Sequence, residues 1–483
     1  MTIKKVLIWV LILIPLVLFF SYRLTQVPSS LTVDEAAFGY NAVLLSETGY
    51  DENGRFLPFF VLSIKGQDWR QPVTQYMMTI FFKIFGASKY KLRITSILVI
   101  LASLVLIYYL AKMLLGKLVA ISASLIYLTV PIMMIHSHLG LDNIMPIPFV
   151  LFWLIFLFLS GKNGKKIFLI LSGASLGIGF YTYKGMRAIV PVWCLLTVGF
   201  LFIRYKENFK QFLTKSLYFS LGTLPFFVVI PLLQQKYAGA VFDSQSPQVG
   251  SIYNLFFGYL SSYDLSFLFV QGDQTIYHST GRHGMYLLAS LPLFLSGIYY
   301  LLSQGRKEER FVLAAFVTGP LLYGMVNSVH RASRLMALIP LFAIIAGCGI
   351  KFFRGSSIMK RLILVIVIGL MIVNYADFVN YYWWKYPDQI GQQLSEPIED
   401  SYRGLAESIK EKGYQPYISN VIFKADGESA KFYEAAFFDQ PVAKWEENQD
   451  LPDQAVLLTQ RKEIEGLEQL EVDLPKYYLQ VKK

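Results

Sequence analysis

The sequence predicts an α-helical polytopic membrane protein with about eleven transmembrane helices and a small extracytoplasmic α/β domain at the carboxyl end. Three observations predict it. Of the 483 residues, 54% are hydrophobic and only 16% are charged, against about 25% charged in an average soluble domain. Eleven apolar stretches reach spanning length, which takes roughly 17–25 residues each. Lys and Arg also fall unevenly, eighteen in one alternate set of connections and four in the short loops of the other. The formal charge of +11 therefore reads as basicity at a membrane surface, and no nucleic-acid partner is expected.

Taken in order, the stretches centre near 6–22, 94–114, 118–135, 144–160, 167–181, 188–203, 216–233, 285–303, 311–326, 335–350 and 362–376. The first, "KKVLIWVLILIPLVLFF", carries no small-residue cleavage site and ten others follow it, so it is expected to stay as a helix. "GASLG" at 173–177 sets small residues four apart, as close helix packing in lipid prefers. Cys194 and Cys348 both lie in apolar runs, which argues against a disulfide framework or a zinc site.

Orientation follows from the basic residues. They cluster at Lys4 and Lys5, Lys112 and Lys117, Lys162 to Lys166, Arg204 to Lys215, Arg306 to Arg310, and Lys351 to Arg361. With these connections cytoplasmic, the amino terminus is inside. Lys89, Lys91 and Arg93 are the exception, lying just before the second span on the opposite side. The transmembrane domain is then 1–378, with outer loops 23–93 and 234–284, and 379–483 forms a soluble extracytoplasmic domain. In that tail "SYRGLAESIKEKG" and "ESAKFYEAAFF" read as helices, and "YISNVIFKA", "AVLLTQ" and "YYLQVKK" as strands. No catalytic motif stands out there, so a docking or accessory role is expected. Most polar groups able to do chemistry gather on one face, whereas a transporter places them at mid-membrane depth.

The first outer loop opens with "LTVDEAAFGYNA", two adjacent acids with no base among twelve residues. A helix start explains Glu35, since Thr32 and Glu35 make a capping box. On that reading Glu35→Gln is mild. Asp34 gains only a generic reason, the helix dipole, while the short helix is expected to lie along the membrane surface. Acids beside a bilayer are expensive, which makes Asp34 the catalytic candidate.

Six stretches in order carry a resemblance. They are "VDEAAFGYNA", "WRQPVTQYMMTIFFKIFG", "HSHLGLDNIMP", "YTYKGMRAIVP", "FLFVQGDQTIYHSTGRHG" and "NSVHRASRLMALIP". Over roughly residues 1–350 the chain resembles the GT-C superfamily of membrane glycosyltransferases. Within it, the similarity is to the dolichyl-phosphate-mannose protein mannosyltransferases and the bacterial lipid A aminoarabinose transferases. The resemblance implies a hexosyl- or pentosyltransferase that takes sugar from a polyprenyl-phosphate donor. It implies Asp34 as general base and Asp142 as the second acidic position. The family's basic residue before Pro-Pro, which touches donor phosphate, corresponds to Arg70 in Arg70-Gln71-Pro72, with Gln replacing one Pro. Ala37 stands where the lipid A branch carries Arg, which weighs against that branch.

The chemistry needs one base for the acceptor proton, an effect of about 10²–10⁴-fold, and fixed cations for the leaving phosphate. Arg70, Lys184, Arg187, Arg331 and Arg334 are the phosphate candidates. Lys184 and Arg187 can equally be snorkelling side chains, and Arg331 and Arg334, beside His330, a helix-entry anchor. Glu35, Asp273 and His278 are further candidates, with the helix cap as the plain alternative for Glu35 and a solvated polar loop for the other two. His136 and His138 read as structural. No DxD spacing appears in the outer loops around the site, so no cofactor and no essential metal is expected, the alternative being a divalent ion on Asp34 and Asp142. The expected partners are a polyprenyl-phosphate-linked sugar, an acceptor hydroxyl on a glycan, lipid or protein, and the bilayer of the cell membrane. A lipid-linked glycan transporter or export component and an inactive scaffold of the same fold are the competing readings.

Overall fold

In hydrocarbon no water can satisfy an open N–H or C=O, so runs of Leu, Ile, Val and Phe close their own backbone bonds as helices. The computed structural model describes residues 3–242, 251–326, 329–354, 357–394, 398–447, 449–470 and 477–482. The chain opens with α1 (Ile3–Ser21) and α2 (Val33–Glu47), then a hairpin of β1 (Val61–Ser63) and β2 (Asp68–Arg70). Next come α3 (Pro72–Phe85), α4 (Lys89–Leu115), α5 (Lys117–Leu128), α6 (Pro131–Ser137), α7 (Pro146–Asn163), α8 (Ile167–Phe180) and α9 (Met186–Arg204). After α10 (Phe209–Val228), α11 (Ile230–Lys236) and α12 (Ile252–Ser261) follow α13 (Leu291–Gln304), α14 (Lys307–Thr318), α15 (Ile339–Phe353) and α16 (Ile358–Trp384). The last part holds α17 (Tyr386–Gly391), α18 (Glu399–Lys412), β3 (Gln415–Ser419), α19 (Asn420–Phe437), β4 (Ala443–Trp445), β5 (Ala455–Thr459), β6 (Glu468–Gln469) and β7 (Tyr478–Lys482).

Among the described residues, six helices are long and apolar enough to cross a membrane. α5 and α6 make a seventh only as a pair bent by 59°. The bend has a local cause: Val130 precedes Pro131 and is held extended, at φ −70° and ψ 117°, because the proline ring excludes the helical conformation before it. Leu7–Ser21, Ile167–Phe180 and Leu288–Gln304 are apolar but shorter. Eleven spans are thus not carried by helix length. The stretch at 311–326 breaks at Thr318, where α14 ends, and resumes only as a 3-10 turn at Tyr323–Val326.

The chain divides into two compact units, Met1–Tyr22 with Gln71–Thr74 and Ser96–Tyr386, and Arg23–Arg70 with Gln75–Thr95 and Pro387–Lys483. In the first unit α8 and α10 touch backbone to backbone. A Cβ added at Gly173 would overlap the Phe219 carbonyl, and one at Gly222 the Ile170 carbonyl. The small-residue spacing of "GASLG" therefore serves the close crossing that it suggests.

The second unit is built on one apolar core shared by α2, α3, the start of α4, α18, α19 and the sheet, with Phe38, Val43, Met78, Phe82, Tyr402, Phe432 and Leu458 all buried. The five strands of this sheet run in the order β4-β3-β5-β7-β6. β3 is parallel to β4 and β5, and β7 is antiparallel to β5 and β6. Two expectations change here. The helix α2, expected to lie along the membrane surface, is covered by protein, with nine of its fifteen residues buried. Gly39 lies so close to α19 that an added Cβ would come within 2.7 Å of the Phe432 ring. The strand expected over "YISNVIFKA" stops at Ser419, and Asn420 opens α19. α19 is kinked at Gly427 (φ 45°, ψ −108°), with buried Ile422 in its first segment and buried Ala430 and Tyr433 in its second, and packing in the core overrides the β-propensity of Val421 and Ile422.

Candidate active site

In the second unit the site is built from the first turn of α2. Thr32 caps the helix: its hydroxyl accepts from the Glu35 amide at 3.1 Å, and its own amide donates to Glu35 Oε2 at 3.0 Å. This box fixes the direction in which Asp34 leaves the helix, and the Asp34 side chain is 54% exposed. The hairpin supplies its partner. β1 and β2 pair with Val61 opposite Arg70 and Ser63 opposite Asp68, which sets Ser63 to receive the Arg70 guanidinium. Arg70 is 4% exposed and reaches Asp34 Oδ1 through Nη1 at 2.7 Å. Its Nε donates to Ser63 Oγ at 2.7 Å, its Nη2 lies 3.4 Å from Asp68, and its plane sits 4.9 Å from the Phe38 ring centroid. Arg70 is thereby brought to the acid expected to be the base, and the same guanidinium is held on three further sides.

Glu35 goes the other way. It is wholly buried, as is Arg93, whose Nε donates to Glu35 Oε1 at 2.9 Å and Nη2 to Oε2 at 3.3 Å. Arg93 also donates to the carbonyls of Leu24 at 2.9 Å, Pro28 at 2.6 Å and Ser30 at 2.8 Å. One guanidinium thus fastens the segment leading into α2. Close by in the same unit, Lys89 pairs with Glu399 at 2.7 Å and donates to the Ser29 carbonyl at 2.8 Å. The three basic residues that broke the charge asymmetry include these two, and their burial explains the exception. Arg93 was not singled out as a site residue from sequence; that exception was the signal for it. The capping box alone would make Glu35→Gln mild, but the buried Arg93 partner removes that expectation.

In the first unit, Gln71 is buried and accepts from Arg187 Nη2 at 2.9 Å, while Arg187 Nη1 donates to the Val241 carbonyl at 2.7 Å. The residue in the place of a proline therefore has a use, the orientation of a guanidinium. Lys184 lies three residues earlier in the α8–α9 connection and is partly exposed.

A second cluster surrounds Tyr183, which sequence reasoning passed over. Its hydroxyl end is buried and hydrogen-bonds the side chains of Ser333 and Asn143. Burial, and then the charge of Asp142, push its pKa up, while Arg334 acts in the opposite sense. Asp142 and Arg334 both act electrostatically on this phenol, while its hydrogen bonds go to Ser333 and Asn143. Arg334 is further held through its backbone, since its carbonyl accepts from the Tyr323 hydroxyl. The turn that delivers this segment is sharp: His330 sits at φ 48° and its Nε2 lies 3.0 Å from Asp264.

Asp273 is not in a solvated loop. It is buried, with Oδ1 accepting from the Thr275 amide at 2.7 Å and Oδ2 from the Ala332 amide at 2.6 Å. It ties its own turn to the segment that carries Arg331, whose Nη1 donates to Thr275 Oγ1 at 3.2 Å. His278 is paired as well: its Nδ1 lies 3.0 Å from His136 Nε2, and the rings stack at 4.9 Å. Both residues hold structure in these contacts.

Comparison with known proteins bears on the fold. The family model of dolichyl-phosphate-mannose-protein mannosyltransferases matches residues 70–234. No curated protein matches the chain in sequence. Among solved structures, ArnT from Cupriavidus metallidurans bound to undecaprenyl phosphate superposes with a TM-score of 0.57 at 12% identity, over 98% of this chain and 97% of ArnT. The oligosaccharyltransferase of Archaeoglobus fulgidus in its apo form gives 0.51 at 12% identity, over 90% of this chain and 64% of that one. At these identities the likeness is one of fold, and it runs the length of the ArnT chain.

Proposed function

We propose that this chain, which carries the fold of the GT-C membrane glycosyltransferases, moves a sugar from a polyprenyl-phosphate donor to an acceptor hydroxyl at the extracytoplasmic face. The observation that carries the reading is Asp34, half-exposed on the capped first turn of α2 and clamped at Oδ1 by the buried Arg70. Oδ2 is the atom left to take a proton. The ArnT structure bound to undecaprenyl phosphate supports the donor class, and the mannosyltransferase family match supports a sugar as the group moved.

In this mechanism the acceptor oxygen forms its bond to the anomeric carbon as the bond from that carbon to the phosphate oxygen breaks. The hydroxyl proton passes to Asp34, and the anomeric centre inverts. The leaving polyprenyl phosphate gains charge and is stabilised by prearranged cations, for which Arg187, Arg331, Arg334 and Lys184 are the candidates. Arg70 is assigned to hold Asp34 in place, because its contacts are to that acid, Asp68 and Ser63. Asp142 is assigned, through Tyr183, to the setting of Arg334.

Radiolabelled prenyl-phosphate sugars, incubated with the purified protein and membrane extracts, test the reading. Asp34→Asn keeps size and hydrogen bonding but cannot take the proton, so it should bind donor like the parent and lose about 10²–10⁴-fold in turnover. Near-parental turnover in Asp34→Asn would remove the base from this mechanism. Absence of transfer by the parent from any prenyl-phosphate sugar would remove the donor class.

A further inference from the structure

We propose that the cleft between the end of α4, the start of α5 and the end of α15 binds the anionic headgroup of a membrane phospholipid. The cleft measures about 530 Å³ and is lined by Leu115, Gly116, Lys117, Leu118, Lys351 and Arg354. Half of the lining is cationic and none of it acidic, although the cations come from widely separated parts of the chain.

Three arginines on neighbouring connections have partners. Arg204 pairs with Glu308, Arg306 with Glu309 at 2.7 Å and with the Leu114 carbonyl, and Arg310 donates to the Leu301 carbonyl at 3.2 Å. Lys351 has only a neutral partner, donating to the Tyr300 hydroxyl at 3.2 Å and lying 4.9 Å from its ring centroid. Among the described residues no carboxylate pairs with Lys117, Lys351 or Arg354. Gly116, at φ 92°, makes the turn between the two helices, and the space beside it is open, with nothing within 4 Å of its Cβ position. The preference of basic residues for one side of a membrane explains a basic connection. It does not explain three cations without a carboxylate partner among the described residues lining one concavity, where a bound anion would offset their mutual repulsion.

The occupant follows from depth and lining. α4 and α15 belong to segments long and apolar enough to span, and the cleft lies at their ends, where hydrocarbon gives way to water. Leu115 and Leu118 in the lining offer an apolar wall that a free phosphate cannot use and a lipid's glycerol and chain can. Basic pockets at such ends of spanning helices suit phosphodiester headgroups.

The full chain, purified in detergent and titrated with phosphatidylglycerol or phosphatidylcholine under native mass spectrometry, tests this. The parent should retain phosphatidylglycerol in preference to phosphatidylcholine. Lys117→Gln/Lys351→Gln/Arg354→Gln should weaken that retention about tenfold or more. A control with the same charge change elsewhere, Lys162→Gln/Lys165→Gln/Lys166→Gln, should retain it. Arg354→Gln alone, at an exposed position, carries the test if the triple variant fails to fold. Unchanged retention in the cleft variants, or an equal loss in the control, overturns the proposal. So does stabilisation of the parent by inorganic phosphate to the same degree as by phosphatidylglycerol, since the cleft would then take a free anion.

Discussion

Helical geometry turns successive side chains by about 100°, and on α2 that turn separates two neighbouring carboxylates into different environments. Asp34 faces water and Arg70, whereas Glu35 is buried against Arg93. The cap that Glu35 closes is worth about 0.5–2 kcal/mol. Its removal as a charge is a larger matter, because a buried guanidinium left without its carboxylate costs about 3–5 kcal/mol. Glu35→Gln should therefore lower thermal stability in detergent by that amount, while Asp34→Asn should cost less, because buried Arg70 keeps Asp68 and Ser63 and Asp34 is itself half-exposed. Restoring neutrality with Glu35→Leu/Arg93→Met should recover part of the loss in Glu35→Gln, since both charges then leave the interior together. Equal melting temperatures for Glu35→Gln and the parent would show that Arg93 is compensated by its three carbonyl partners alone.

At the scale of elements, what the sequence made legible was whatever a local pattern controls. Apolar length predicted helices, "GASLG" predicted a close helix crossing, and Thr32-x-x-Glu35 predicted the cap on which Asp34 stands. Long-range packing was not legible in that way. Nothing near Val421 and Ile422 signals that Ile422 will be buried in a distant core and the segment made helical, and nothing in "DEAAFGYNA" signals that Phe432 will cover Gly39 and draw α2 into that core. The site followed the same division. Asp34 was readable from its cap, but the burial of Arg93, the phenol of Tyr183 and the use of Gln71 by Arg187 each depend on residues far away in the chain. The α8–α10 crossing gives this a direct test. Gly222→Leu would drive a side chain into the Ile170 carbonyl, and overpacking costs about 1–3 kcal/mol or more. It should lower the melting temperature and the yield of folded protein, whereas Gly199→Leu, with nothing within 4 Å of its Cβ position, should not. Equal behaviour of the two would mean that α8 and α10 separate freely.

At the scale of the whole molecule, two predictions follow from orientation and from the way the tail is used. With amino terminus and basic connections cytoplasmic, an impermeant thiol reagent should label Gln440→Cys in intact cells and Asn163→Cys only after lysis, in a Cys194→Ala/Cys348→Ala background. The reverse pattern would put Asp34 on the cytoplasmic side and end the proposed reaction. The tail was expected to be an accessory, yet its residues share one core with the segment that carries Asp34. Phe38, Val43, Met78 and Phe82 are buried in the same cluster as Tyr402, Phe432, Leu458 and Leu479, and Lys431 reaches Glu52 at 3.2 Å. Each large side chain uncovered there forfeits about 1.5–3 kcal/mol. A chain ended after Tyr386 keeps every proposed site residue, from Asp34 to Arg334, but loses fourteen of the twenty-two buried residues of that core. It should insert in the membrane, show rapid proteolysis between residues 23 and 70, and lose turnover, because Asp34 and Arg70 are held in register only by a folded α2 and hairpin. Donor binding assigned to the first unit should survive. If the shortened chain transfers sugar at the parental rate, the tail is an appendage after all, and the position of Asp34 is maintained by the Arg93 clamp and the capping box without it.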